Sequence, residues 1–468
     1  MKRAFAALSG KPPGFRLDDA VFSQMESIEQ RFAHAILEMI RSRRQALATK
    51  ATSLPVDSSR YVAPVRLREA AFSDFEAVSG LKQRWGLNPD SIENWERLWL
   101  RNPAGVDGAT ERPIGWVLEA DEAVVGYLGN ISLSYRYGDR KLTAVAAHGL
   151  VVDPPYRSVG VTLTAGFFRQ KSVDLYLTTS AIEAVGRMAL AFKSSYLPQP
   201  DYGKVLFWVL QPYAFSQAVM KKLQLGQEIS KIGSILASLA VGTHKTLGRR
   251  WPRQSSSPYL VNGIGIGEIG DDFQALWLQK LKEGPRLLAE RSAAALRWHF
   301  GIPGDRGSAR VLCCYENRDL VGYAVIRTDT DQETGLRTSI VADLLARNDD
   351  PEIVKALCVA AHDHARSIGS HVLELMGFPP GIRSVYSQWG PYTRAYPACP
   401  FLYKAADPAL QRTLSNGAAW YAGPFDGDTT LIRPSYPSAP LSGASRAQTR
   451  EHRDTAVCVP EQTASKVF

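Results

Sequence analysis

A histidine on an apolar strand, a proline pair and a glycine-bearing loop at the head of a helix lie together in one stretch. From Ala144 to Arg169 the chain reads AVAAHGLVVDPPYRSVGVTLTAGFFR. Val145, Leu150, Val151 and Val152 give its start the β-branched, apolar character of a buried strand. Asp153-Pro154-Pro155 ends that strand, because proline cannot donate to a ladder and restricts the residue before it. Arg157-Ser158-Val159-Gly160-Val161-Thr162 follows, and an apolar helical segment runs on to Phe168. Strand, short polar loop and helix start together offer backbone N–H groups and the positive end of a helix dipole, which suits a phosphate or pyrophosphate. The other reading is an ordinary capped strand-to-helix turn. His148, with an ordinary pKa of about 6.5, suits proton abstraction at neutral pH, directly or through water. Its alternative is a core histidine bonded to a carbonyl.

The elements that must hold these groups are those of a soluble globular chain. With 468 residues, 45% hydrophobic and 22% charged, core size is not limiting and at least two domains are expected. Cys313, Cys314, Cys358, Cys399 and Cys458 form no CxxC pair, so reduced thiols and no zinc site are expected. His362 and His364, two apart on a helix, point in different directions and read as surface residues, not metal ligands. The apolar patch Ala4–Leu8 is too short for a signal peptide, and no long apolar run suggests a membrane span. A cytoplasmic location is expected.

Residues 1–60 read as an extension, with Phe22, Met25, Ile28, Phe32, Ile36 and Met39 on one face of a helix. A first domain spans 61–216. Its order is strand, helices, antiparallel strands hairpinned at Asp121-Glu122, the Ala144–Arg169 stretch, a strand at Asp174–Thr179, a helix at Ala184–Lys193, and a last strand at Lys204–Leu210. Residues 217–258 form a basic connector; from Gln217 to Gln254 seven Lys and Arg face one acid, Glu228. The connector is read as solvated, with weak contact to an anionic membrane surface as its alternative. The charge sits in one segment without a recognition motif, so DNA is not an expected partner. Residues 259–434 repeat the first plan, with a hairpin at Asn317-Arg318-Asp319 and Gly322 standing where Gly126 stands in the first copy. Residues 435–468 read as a disordered tail.

Val152 to Thr162 resembles the acetyl-CoA signature of the GCN5-related N-acetyltransferase (GNAT) superfamily, Arg/Gln-x-x-Gly-x-Gly/Ala after a strand ending in V-x-P. Thr162 stands where Gly or Ala is usual. The element order from Tyr61 to Leu210 is similar to that fold. Two copies in one chain resemble the tandem-GNAT acyltransferases of bacteria, including those associated with polysaccharide biosynthesis. Leu296-Arg297-Trp298-His299-Phe300 and the run Trp420–Thr429 look like segments of that group. The resemblance implies an α/β fold of two tandem GNAT-like domains, each a mixed, mostly antiparallel sheet flanked by helices.

It also implies acyl transfer from acetyl-CoA, or another acyl-CoA, to an amine or hydroxyl of a small molecule or sugar, without a metal. Main-chain groups of Leu150 and Val152 would run beside the pantetheine. Backbone groups of Arg157, Ser158, Val159, Gly160, Val161 and Thr162 would take the pyrophosphate. His148, beside Gly149 where a GNAT strand usually bulges, would be the base. GNAT enzymes often place an acid tyrosine in the helix after the fifth strand, but Glu183 and Leu190 occupy the corresponding places here. Tyr196, with Tyr202 near it, is the remaining candidate; otherwise solvent protonates the thiolate. In the second copy Ala346-Arg347-Asn348-Asp349-Asp350-Pro351 replaces the phosphate loop. A helix starting near Pro351 would carry two carboxylates at its positive end, so this copy is expected to bind no CoA. Trp298, Trp389 and Trp420 are expected to wall an acceptor cleft instead. Two other functions stand beside it: a Fem-like aminoacyl transferase, which also pairs two GNAT-like domains but uses aminoacyl-tRNA and needs no CoA loop, and a non-catalytic CoA-binding scaffold, suggested by Thr162 and the missing tyrosine.

Overall fold

The computed structural model describes residues 63–87, 89–105, 112–222, 258–304, 307–395 and 401–432. The expected N-terminal helix, most of the basic connector and the tail lie outside the described residues.

The first half runs β1 (Arg66–Glu69), α1 (Phe75–Arg84), α2 (Ile92–Trp99), β2 (Gly115–Ala120), β3 (Ala123–Tyr137), β4 (Arg140–Val152), α3 (Val161–Phe168), β5 (Leu175–Thr178), α4 (Glu183–Ala191), β6 (Ser195–Tyr196), β7 (Lys204–Val209) and α5 (Pro212–Lys222). The second half runs β8 (Leu260–Ile264), α6 (Asp271–Leu281), β9 (Leu287–Ala289), α7 (Ala293–Phe300), β10 (Ala309–Glu316), β11 (Asp319–Thr330), β12 (Arg337–Ala346), α8 (Pro351–Ser367), β13 (Val372–Leu375), α9 (Pro380–Ser387), β14 (Tyr392–Ala395), β15 (Leu402–Ala405) and α10 (Pro408–Thr413). Local chemistry sets several of these boundaries. Asp121 and Glu122, at φ 46° and 63°, close the β2–β3 hairpin with the left-handed pair that a two-residue turn demands. Ser91 and Ser292 open α2 and α7 by accepting the N–H of Asn94 and of Ala295.

Two mixed, mostly antiparallel sheets flanked by helices result. The first is ordered β1-β2-β3-β4-β5-β15-β6, with β9 also paired to β3; the second is ordered β14-β7-β13-β12-β11-β10-β8. Among the named strands only β4–β5 and β12–β13 pair in parallel. The repeat is exact in register at one landmark: Gly126 pairs Val152, and Gly322 pairs Ala346. Each copy also carries an irregularity just beyond, between Tyr127 and Gly129 in β3 and between Val325 and Ile326 in β11.

One feature departs from the sequence reading. β7, read as the last strand of the first copy, lies between β13 and β14 of the second sheet. In return β15 lies between β5 and β6 of the first. Val205, Leu206, Trp208 and Val209 are all buried. Such an apolar run specifies a strand covered on both faces, but says nothing about which sheet supplies its neighbours. Burying each such side chain stabilises by about 1.5–3 kcal/mol, so the exchanged strand carries a sizeable part of the ~5–15 kcal/mol typical of a domain. A single buried cluster accordingly joins Tyr135, Ala144 and Leu175 of the first sheet to Tyr323, Leu344 and Leu373 of the second.

His362, expected at the surface, is buried. It stands one turn beyond Cys358 on the face of α8 that also buries Val354, Leu357, Ala361 and Ala365.

The interlocked halves generate a prediction. Cutting the chain at a protease site engineered between residues 223 and 257 should give two pieces that co-elute and unfold in one transition. Two separately eluting, folded pieces would contradict the exchange.

Candidate functional site

His148 sits at the irregularity of β4. Tyr127 pairs Val151 and Gly129 pairs His148, so β4 carries one residue more than β3 across this interval. The extra residue is accommodated at Gly149, whose φ of 64° is left-handed. Just below this point β4 and β5 part: their parallel pairing covers Ala144–Ala146 against Leu175–Leu177 and goes no further. The edge of β4 that includes Leu150 and Val152 therefore has no β5 partner.

Three acidic and basic groups surround the imidazole, whose side chain is 11% exposed. Nδ1 lies 3.3 Å from Asp428 Oδ2, and Nε2 lies 3.8 Å from Asp90 Oδ2. Asp428 also accepts from Thr179 Oγ1 at 2.8 Å and Ser180 Oγ at 2.6 Å, which fixes its carboxylate. Asp90 directly precedes the cap of α2 and accepts from Lys82 Nζ at 2.7 Å and Asn94 Nδ2 at 2.9 Å. Because a carboxylate only accepts, Nδ1 carries the proton and Nε2 is the basic atom. Nε2 is buried and has no hydrogen-bond partner among the described residues. Burial opposes charge on His148, but the hydrogen bond to Asp428 and the Asp90 carboxylate beside Nε2 outweigh it, and its pKa is raised above 6.5. Burial likewise opposes charge on Asp90, yet His148 and Lys82 hold its carboxyl well below the usual carboxylate range.

Asp428 arrives on a strap, Trp420–Ile432, that spans both sheets. Gly427, at φ 69°, passes so close to Thr179 that a Cβ would overlap its side chain. Asp426 accepts from Tyr135 Oη at 2.9 Å on the first sheet and stands 3.9 Å from Arg291 on the second-half side. Arg97 and Arg327 donate to the carbonyls of Leu431 and Thr430. Burial, only partly offset by Arg291, pushes the Asp426 carboxyl up to about 6.

The loop after β4 is a tight 3-10 turn, Pro154–Val159. Gly160 N–H, expected to face a phosphate, donates instead to Arg157 O at 3.2 Å. Thr162 Oγ1 donates to Val159 O at 2.7 Å. The first turn of α3, from Val161, has no side-chain cap, and the Arg157 guanidinium lies over the Trp85 ring. Ser158 and Val159 belong to the turn itself. Tyr196 is exposed on β6, three strand spacings from β4 and so ~14 Å away across the sheet. The structure does not bring it to His148, and Tyr202 is buried with its hydroxyl on Gly423 O.

The second half fills the same places from within. Leu344 O and Ala346 O, the counterparts of the Leu150 and Val152 carbonyls, accept from Tyr421 Oη and Lys280 Nζ, both at 2.7 Å. Asp349 is gripped by Lys280 and Arg286, and α8 begins at Pro351 with Asp350 accepting the Glu352 N–H. Arg291 precedes the cap of α7 as Asp90 precedes that of α2, and it pairs with Asp343 on β12 with both side chains fully buried. The polarity of the first site is thus reversed and closed. Trp420 belongs to the core with its indole on Leu414 O, and Trp298 donates to Arg97 O, so neither is an open cleft wall. Trp389 packs partly buried against the same core.

No family model matches the chain, and no curated protein matches it. Solved structures similar to it include a GCN5-related N-acetyltransferase from Anabaena variabilis, with 10% identity over 74% of this chain and 73% of that one, TM-score 0.46. A protein of unknown function from Enterococcus faecalis, described as a probable N-acyltransferase, shows 10% identity over 73% of each chain, TM-score 0.48. A GCN5-related N-acetyltransferase from Kribbella flavida shows 14% identity over 74% of this chain and 72% of that one, TM-score 0.44. At this distance the function must be read from the chain's own geometry.

Sequence reasoning singled out His148 but missed Asp428, Asp90 and Lys82. Asp90-Ser91 ahead of the Trp95–Trp99 face was legible as a helix start, which places Asp90 at the mouth of α2. Nothing local links Asp428 to His148, 280 residues away.

The site predicts a titration. NMR of the His148 ring should give a pKa above 6.5. Asp428→Asn removes a group that favours the imidazolium, so the pKa should fall. An unchanged value would show that Asp428 does not tune the ring.

Proposed function

We propose that the chain transfers an acyl group from a coenzyme A thioester, acetyl-CoA first among them, to an amine or hydroxyl of a small molecule or sugar. The observation that carries this reading is His148 Nε2: a buried base with no hydrogen-bond partner among the described residues, beside the point where β4 parts from β5. Three features support it. The β4 edge at Leu150 and Val152 is open in the first half, while its counterpart in the second is filled by Tyr421 and Lys280. The α3 start is uncapped. A carboxylate orients the imidazole.

In this reading the amide-bearing arm of CoA lies along Leu150 and Val152. Its pyrophosphate lies against Val161, Thr162 and the turn Arg157–Gly160, with the Arg157 guanidinium adding charge. His148 Nε2 takes a proton from the acceptor as its nitrogen or oxygen bonds to the acyl carbon. The C–S bond then breaks. A thiol of ordinary pKa, about 8.5, leaves readily as thiolate, and the His148 imidazolium can return the proton to it. Tyr196 is not needed. A sugar acceptor of the kind used in polysaccharide biosynthesis is the finer form of the proposal and rests on the Trp420–Thr429 resemblance. A purely CoA-binding role is favoured only by the distance of Tyr196 and the internal partner of Gly160 N–H.

The tests separate binding from chemistry. Calorimetry should show one CoA per chain, since the second half is self-occupied; two equivalent sites would refute this. Val161→Asp places a charge at an exposed first-turn position. It should leave the melting temperature unchanged or raised, because aspartate favours a helix N-terminus, while weakening CoA by about tenfold or more through repulsion. His148→Ala should lower turnover by roughly 10²–10⁴-fold with CoA affinity kept. Unaffected turnover would move the base elsewhere.

A further inference from the structure

We propose that Tyr127 and Lys82 form a subsite for a negatively charged oxygen of the bound reactants, over Gly149. The inference rests on the acyl-transfer reading and adds to it a requirement on the acceptor or on the reacting carbonyl.

The two halves supply the comparison. Tyr127 and Tyr323 each follow the landmark glycine, Gly126 or Gly322, and each is buried. Tyr323 Oη donates to Asp343 Oδ2 at 2.9 Å, and Arg291 binds the same carboxylate through two nitrogens. Counting back from the glycine's partner, Ala346 in one half and Val152 in the other, the place of Asp343 is Gly149. The first half thus keeps the tyrosine and lacks the carboxylate. Tyr127 Oη has no hydrogen-bond partner among the described residues. A buried hydroxyl left in that state is costly, and an oxygen from outside the chain would satisfy it.

An ammonium stands close to the same place. A Cβ placed on Gly149 would stand 3.4 Å from Lys82 Nζ and 3.9 Å from Tyr127 Cε1, so a group there meets an ammonium and the edge of the phenol ring. The Tyr127 hydroxyl itself reaches over Gly129, where a Cβ would stand 2.6 Å from Oη and 3.1 Å from the His148 carbonyl oxygen. Lys82 Nζ donates to Asp90 and has further N–H groups to offer. An ammonium and a hydroxyl replace the guanidinium and hydroxyl that hold Asp343, and they select the same chemistry: a carboxylate or an oxyanion. The oxygen comes either from a carboxylate on the acceptor or from the acyl carbonyl as it takes on negative charge.

Tyr127→Phe and Gly149→Asp test this on the full chain with acetyl-CoA, reading released thiol. The acceptors are matched pairs: an amino acid and its amide (serine and serinamide), and an amino sugar acid and its neutral amino sugar (galactosaminuronic acid and galactosamine). If the acceptor carboxylate fills the subsite, the acid of a pair is preferred, and Tyr127→Phe raises its KM by about tenfold or more and erases the preference. If the oxyanion fills it, acid and neutral partner react alike and Tyr127→Phe lowers kcat about 10²-fold at unchanged KM. Removing an orphaned hydroxyl should not lower the melting temperature, whereas a structural tyrosine would. Gly149→Asp supplies the missing carboxylate from within and should inhibit with CoA affinity kept. The subsite is refuted if Tyr127→Phe changes neither KM nor kcat while wild type turns over. Failure of wild type to bind CoA by calorimetry would instead refute the acyl-transfer reading itself.

Discussion

The bond between Asp428 and His148 makes one site out of two halves. A histidine alone at the bulge of β4 would be a nearly buried base with burial lowering its pKa. Asp428 reverses that balance, and it comes from the far end of the chain. To reach the ring it must be carried across the first sheet by the strap, seated by Thr179 and Ser180, on a backbone that turns at Gly427 where no side chain fits. The same strap places Asp426 between Tyr135 and Arg291. Each of its two carboxylates thus answers a basic group, one from each half. Removing one partner of such a buried pair costs about 3–5 kcal/mol, because the other charge is left in low dielectric. The strap is therefore held by the very charges it orders.

The two halves use one frame in opposite senses. In the second, Asp343 and Arg291 neutralise each other, Tyr323 completes the carboxylate, and Tyr421 and Lys280 cover the strand edge. Every polar group named there finds its partner inside the chain. In the first, His148 Nε2 and Tyr127 Oη are buried with no hydrogen-bond partner among the described residues. A fully satisfied network adds rigidity, whereas an unsatisfied one adds the capacity to bind. The division follows from a few residue exchanges at matching positions, Gly149 against Asp343 and Asp90 against Arg291. It needs no change of fold.

Much of this frame was legible in the chain. The strand–turn–helix from Ala144, the two hairpins, the repeated glycine at 126 and 322 and the α8 start at Pro351 follow from periodicity, turn residues and caps, all of them local. What was not legible is non-local. Val205–Val209 declares a covered strand, but the choice of sheet is made by β13 and β14. Gly160 was read as a free donor because a sequence does not show a 3-10 turn closing on Arg157 O. His362 was placed outside although its spacing from Cys358 puts it on the buried face. Asp426-Gly427-Asp428 reads as a polar turn until the strap is drawn across both sheets.

The exchange of β7 and β15 explains why a site confined by sequence to the first half should depend on the second. β15 lies directly against β5, the strand whose end carries Thr179 and Ser180. The position of β5 relative to β4 sets the width of the split beside His148, so a strand from the second half helps to set it. Had each half kept its own strand, the split would be governed locally and Asp428 would dock onto an independent domain. With the strands exchanged, the β4–β5 opening, the seat of Asp428 and the strap itself form together or not at all. The second half, with its matching positions filled by its own charges, is then the packed element against which the β4–β5 split is set.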